Sequence, residues 1–293
     1  MSARLCDEVR SGCAQIAASA RWVSIDLDAL AHVEPGAPPA LDPVRHFLDG
    51  SPQDVASYFL TLDAINFGSG WFPTLRKRPD SSGYFTVAWA LSDRFRAHGP
   101  WTPEQLQAIG TTEIAETLGQ PLDHELMALY AQALRALGRF LGGGDALALV
   151  RESRGSAERL ATQLARGMAL FDDRGFYKRA QIVPANLALA GIARFRDLDR
   201  LTIFADNLVP HVLRCDGVLR YDERLAAHID AGLLLPAGDQ EREIRACAVR
   251  ACELIAQRLG ATEHELDNWL WSRGQAPAYK ARFPRHRTRT VYY

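Results

Sequence analysis

The sequence predicts a mostly helical protein, a single domain over residues 1–293 with at most a few short strands. Three observations carry this. Apolar residues recur at spacings of three and four through most of the chain, the signature of helices with one buried face. Strand-like runs are confined to two short stretches. No repeat, low-complexity tract or linker divides the chain, and a composition 47% hydrophobic and 24% charged supplies one large core.

The elements follow in order. A helix is expected over 8–19, then a Pro-rich loop over 33–43. Ser51-Pro52-Gln53-Asp54 reads as an N-cap, a first-turn proline and an acidic third position; the helix it opens carries Val55, Phe59, Leu62 and Asn66 on one stripe. A loop over 68–83 leads into a buried helix over 83–97. Leu126, Leu129, Ala133, Leu137 and Phe140 define a helix within 122–141, stopped by Gly142-Gly143-Gly144. The clearest helix spans 239–259, with acidic residues at its start and Ile244, Cys247, Ala248, Ala251, Ile255 and Leu259 on its apolar stripe. Shorter helices are expected at 104–117, 145–151, 155–167, 184–195, 210–216 and 263–273, with a loop at 231–238. The strand candidates are Tyr84–Val87, which also fits the helix over 83–97, and Leu201–Phe204.

Composition excludes several classes. A formal net charge of −1 gives no global field for a nucleic-acid polymer, so an anionic ligand is expected to be small. The five cysteines, odd in number and without ligand spacing, argue against a disulfide framework or zinc ribbon. Neither a signal peptide nor an apolar run long enough to span a bilayer is visible, so a cytoplasmic location with no membrane partner is expected. The glycine run at 142–144 lacks the Lys-Ser/Thr of a phosphate loop, and neither GxSxG nor HExxH occurs. No metal is expected.

What remains is polar residues set in apolar runs. Asp63 and Asn66, three apart in LDAINF, would share a helix face and could read the edge of a base; pairing with a neighbouring turn is the structural alternative. Asp206 ends the apolar run LTIFAD beside Phe204, with Pro210 in the first turn of the next helix. An ionised carboxylate so placed is a helix cap or a functional group. Lys178 and Arg179 follow two aromatics and could hold a phosphate, or form a solvated basic turn. The final segment, Arg285 to Tyr293, mixes cations with rings and is apolar enough at its end to dock.

Taken together, WVSID (22–26), LDAINF (62–67), SGYF (82–85), RESRGSAERL (151–160), FYKRAQI (176–182), LTIFADNLVPHVL (201–213), EIRACAVRACELI (243–255), NWLWS (268–272) and HRTRTVYY (286–293) resemble the queuosine salvage protein family along nearly the whole chain. The resemblance implies a fold similar to helix-rich DNA glycosylases. It implies hydrolysis of the N-glycosidic bond of queuosine 5'-phosphate, releasing queuine for transfer RNA modification, with water as the only second substrate and no cofactor. It places the catalytic carboxylate on Asp206, with Phe204 against the base and His46 as a base ligand. Asp267, followed by Asn268, matches an Asp that pairs the aminomethyl cation of the queuine side chain. The family's LWD triplet reads Leu270-Trp271-Ser272 here, so Ser272 stands where a second Asp is expected and supplies no charge. Asp63 and Asn66 fall near the pocket, and Lys178 and Arg179 are candidates for the 5'-phosphate.

Two other functions fit parts of the pattern. A DNA or RNA base-excision glycosylase would share the Asp and the aromatic pocket and flip its base out of a polymer. A non-enzymatic module binding a modified nucleoside would use Asp206 for recognition alone.

Overall fold

A computed structural model describes residues 4–34, 36 and 40–293. Part of the Pro-rich loop at 33–43 therefore lies outside the described residues. The chain opens with α1 (Leu5–Ala18), β1 (Val23–Ile25) and α2 (Leu27–Ala31), the last capped by the Asp26 carboxylate accepting from Ala29 N. Ser51 caps α3 (Pro52–Ala64) and Ser82 caps α4 (Gly83–His98), each hydroxyl accepting a first-turn amide. Tyr84–Val87 is thus helix, not strand.

The expected helix 104–117 is two helices, α5 (Pro103–Ala108) and α6 (Thr111–Leu118), broken where Ile109 turns to an extended conformation. The carbonyl freed there is not orphaned: Arg135 donates to Ile109 O at 2.8 Å. Next come α7 (Glu125–Leu141), α8 (Ala146–Glu152) and α9 (Ala157–Gly167). The helix expected at 184–195 instead spans Lys178–Leu189 (α10), with Pro184 inside it. It begins directly after Tyr177, whose left-handed backbone (φ 50°) turns the chain sharply. The remainder is α11 (Leu208–Cys215), β2 (Leu219–Tyr221), α12 (Glu223–Asp230), α13 (Asp239–Leu259), α14 (Glu263–Arg273) and α15 (Pro277–Arg282).

The strands pair antiparallel, Val23 opposite Tyr221. Both escape sequence reading because three residues are too few to show a period. The other strand candidate, Leu201–Phe204, is extended but unpaired in any sheet, because side chains satisfy its backbone. Gln181 accepts from Thr202 N at 2.9 Å, Asp267 accepts from Phe204 N at 2.8 Å, and Arg245 donates to Ala205 O at 2.9 Å. Helices from three directions clamp one extended segment, and that segment delivers Asp206.

The buried apolar residues form one core cluster running through these helices. α13 lies at its centre, packed on α1, α2, α11, α14 and β1. Its Arg245 is 2% exposed, yet fully partnered. The guanidinium donates to Asp173 (Nη1–Oδ1 3.1 Å, Nη2–Oδ2 2.5 Å) and to Glu241 at 3.4 Å, and lies between the rings of Phe176 and Tyr293. Those carboxylates hold its pKa well above the ordinary arginine value although burial opposes them. No helix among the described residues is long and apolar enough to cross a membrane.

Two predictions follow from this interior. Arg245→Met removes the cation but leaves Asp173 and Glu241 buried, so urea unfolding should show a loss of about 3–5 kcal/mol; a loss under about 1 kcal/mol would deny the network its structural role. The second concerns acid. Burial pulls His211 down to about 4 and His286 to about 3, from an ordinary 6.5. The native state therefore binds these protons more weakly than the unfolded chain. The stability so conferred is complete above pH 6.5 and is lost as pH falls toward 4 and 3. Tm should fall steadily below pH 6.5, and His211→Gln, which keeps a donor for Tyr279 O, should shallow that slope.

Candidate active site

A cavity of about 1030 Å³ opens between α4, α10, α14, the segment that follows α3 and the final segment, and Phe204 and Asp206 line it. That volume suits a nucleotide-sized ligand.

Asp206 stands at the N-terminus of α11. Its Oδ1 accepts from Leu208 N at 2.7 Å and Val209 N at 3.1 Å, so it is indeed a helix cap. The cap does not consume it, because Oδ2 has no hydrogen-bond partner among the described residues. Cap and functional group are one carboxylate: two amides fix its plane, and one oxygen stays available in the cavity.

Three groups surround it. Phe204, two residues earlier, presents a buried ring on the cavity wall. Asp267, on α14, accepts from Phe204 N through Oδ1 and is 4% exposed. Burial and the nearby Asp206 charge push its pKa up to about 8. Lys178, at the start of α10, donates to Asn66 O at 3.0 Å and Asn66 Oδ1 at 3.3 Å. Burial pulls its ammonium down to about 8, against the attraction of Asp206, Asp63 and Asp267. The third ammonium hydrogen of Lys178 remains for a ligand.

The opposite wall is aromatic. His46 Nδ1 lies 3.0 Å from Asp42 O, a carbonyl that can only accept, so this nitrogen carries the hydrogen. Burial lowers the pKa of the ring, which is neutral, and Nε2 accepts from the Tyr84 hydroxyl at 3.1 Å. Tyr84 and Phe85 in turn meet Trp271 edge-on. Asn268, Trp271 and Ser272 line the cavity from α14, spaced three and four along one helix face with Asp267.

The structure thus gathers Asp206, Phe204, Asp267, Asn268, Ser272, His46, Asn66 and Lys178 around one cavity. Two expected site residues stand elsewhere. Asp63 is wholly buried beneath the wall, where Asn186 donates to both its oxygens at 2.9 and 3.0 Å. Its partner in the expected pair, Asn66, lies beyond the end of α3, so the two do not share a helix face. Asp63 reaches the cavity through Asn186, which does line it, and burial raises Asp63 to about 7. Arg179 points away. Its guanidinium donates to the carbonyls of Ala64, Leu170 and Val291 and packs over Phe67 and Phe171. Nη1 and Nη2 are spent on carbonyls, Nε has no partner among the described residues, and Arg179 does not line the cavity.

Sequence reasoning missed Tyr84, Trp271, Ser69 and Asn186 on the wall, and the cations Arg45, Lys77, Lys280 and Arg285 near its mouth. The aromatic SGYF and NWLWS strings held the signal for the first two. Among the described residues, no group of three or more His, Cys, Asp or Glu is arranged to hold a metal ion.

Comparison with known proteins identifies the family. The family model described as queuosine salvage protein matches residues 46–293. A Sphaerobacter thermophilus protein named queuosine 5'-phosphate N-glycosylase/hydrolase is 33% identical over 95% of this chain and 95% of its own. Proteins of the same name from Dictyostelium discoideum (30% identical, 81% of this chain and 78% of the relative) and Schizosaccharomyces pombe (26%, 97% and 94%) are also similar. The chain belongs to the queuosine salvage protein family.

Proposed function

We infer that this chain hydrolyses the N-glycosidic bond of queuosine 5'-phosphate, releasing queuine for reuse in transfer RNA modification. One observation carries the chemistry: a carboxylate held in plane by two amides, with its second oxygen unclaimed, beside a buried aromatic ring in a cavity of nucleotide size.

Breaking the C1'–N9 bond develops positive charge on the ribose ring. Asp206, fixed before the reaction begins, stabilises that charge without reorganising. Its Oδ2 also receives the proton of the water that attacks C1'. Phe204 offers a flat apolar face to the base. Neutral His46 presents a ring whose nitrogens are already committed to Asp42 and Tyr84, so it shapes the base pocket rather than transferring protons. Lys178 is the cation for the 5'-phosphate; Arg179 has no part in it. Asn268 and Ser272 supply uncharged hydrogen bonds at the α14 wall.

Asp206→Asn keeps an oxygen that can cap α11 but removes the charge. Chromatographic assay of queuosine 5'-phosphate should show kcat reduced by about 10²-fold or more with the fold intact. Undiminished release by the variant would remove Asp206 from catalysis, and intact substrate with folded wild type would remove the hydrolase reading. Lys178→Met should erode the preference for the nucleotide over the nucleoside by about 10- to 100-fold, the worth of one charge-assisted hydrogen bond. An unchanged preference would place the phosphate elsewhere.

A further inference from the structure

We propose that Asp267 is the acid that protonates the departing base, delivering its proton to N3 while Asp206 stabilises the ribose. This rests on the hydrolase reading above and assigns the second carboxyl group of the site a role in the same reaction.

The need for an acid comes from the base. An ordinary purine can be made a better leaving group by protonation at N7. In a 7-deazaguanine that position is carbon and has no lone pair. The remaining ring nitrogen with an in-plane lone pair is N3, on the sugar side next to N9. An acid for this substrate must therefore stand close to the group that faces C1'.

Asp267 meets that condition. Its Oδ1 accepts from Phe204 N, two residues before Asp206 in the same clamped segment. Of the four aspartates on the cavity wall, Asp42, Asp80, Asp206 and Asp267, it alone is buried. Its Oδ2 has no hydrogen-bond partner among the described residues. No Lys or Arg pairs with it among them: Lys178, the nearest cation, donates to Asn66. The other groups facing it are the Asp206 carboxylate and, from α13, the neutral buried thiol of Cys252. Buried beside a second carboxylate, and with the Lys178 ammonium attracting it but hydrogen-bonded to Asn66, this carboxyl group retains its proton, as its raised pKa also indicates. Two carboxyl groups with opposed environments divide the labour of acid and anion. In this role Asp267 acts on the base as an acid, in place of the charge pairing with the aminomethyl cation that the family resemblance implies.

The step balances. The C1'–N9 electron pair passes to the ring as the Asp267 Oδ2 proton moves to N3. Water adds its oxygen to C1' and yields its proton to Asp206. That proton returns through cavity water to Asp267, and one water is consumed per bond broken.

The test uses Asp267→Asn in the full chain, because Asn keeps an oxygen to accept from Phe204 N. Two substrates are compared: queuosine 5'-phosphate and 4-nitrophenyl β-D-ribofuranoside 5-phosphate, whose leaving group departs without protonation. On the nucleotide kcat should fall by about 10²- to 10⁴-fold. On the aryl riboside it should change by less than about tenfold, as expected when only acid assistance is lost. If both fall together, Asp267 acts through binding or structure and the acid role is overturned. If the wild type does not accept the aryl riboside, the pH profile on the nucleotide decides. The wild-type kcat should decline as pH rises through about 8, and the variant should lack that limb. A limb that persists in the variant overturns the proposal. Wild type inactive on the nucleotide would refute the hydrolase reading itself, an outcome distinct from either.

Discussion

The site depends on one buried cation. Arg245 belongs to α13 but holds three other pieces of chain: the turn before α10 through Asp173 and the ring of Phe176, the Ala205 carbonyl beside Asp206, and the ring of Tyr293. A guanidinium taken wholly out of water is unfavourable unless every donor finds a partner in good geometry. That demand is what makes it an organiser. Its fork fixes the turn that launches Lys178, its Nε fixes the segment that presents Asp206, and its faces seat the final segment. Arg179 ties the end of α3 to Leu170 and Val291 from the other side through Nη1 and Nη2, its Nε being left without a partner among the described residues. The two arginines brace a cavity that neither of them lines.

Within that brace the charges are set against one another. Asp206 is partly exposed, and two amides hold its carboxyl group in place. Asp267 is buried and receives a single amide, which favours the acid. Lys178 stands between them and Asp63, its own proton loosened by burial. Three carboxyl groups and one ammonium in this space cannot all be ionised independently, and the geometry decides which of them are.

Much of this was legible in the sequence. The helices over 239–259 and 263–273 stand where periodicity and caps put them, because a long amphipathic stripe with end signals leaves few alternatives. The start of α10 was not legible. Pro184 reads as a first-turn residue, but here it lies inside a helix that a left-handed Tyr177 begins. The extended segment before Asp206 resembles a strand because its backbone is extended; its partners are side chains from distant helices, which no local pattern records. The two misplaced site residues fail for one shared reason. Helical phase gives the direction of a side chain but not the depth of the layer it enters. Asp63 therefore lies one layer too deep, and Arg179, about 100° round the helix from Lys178, faces a different neighbour.

Net charge misleads in a similar way. Lysine and arginine total 34 against 35 acids, which gives no reason to expect an electropositive site. Yet Arg45, Lys77, Lys280 and Arg285 gather at one cavity mouth. The Lys280 ammonium is pulled down first by burial and then by those three neighbours. Four cations converging on one opening suit a compact anion; a nucleic-acid backbone would call for a stripe of cations across the surface. This distribution suits the small-molecule nucleotide that the family implies. It also separates binding from chemistry. Attraction at the mouth can draw the nucleotide in toward Lys178 and Asp206, so that binding energy remote from C1' lowers the barrier there.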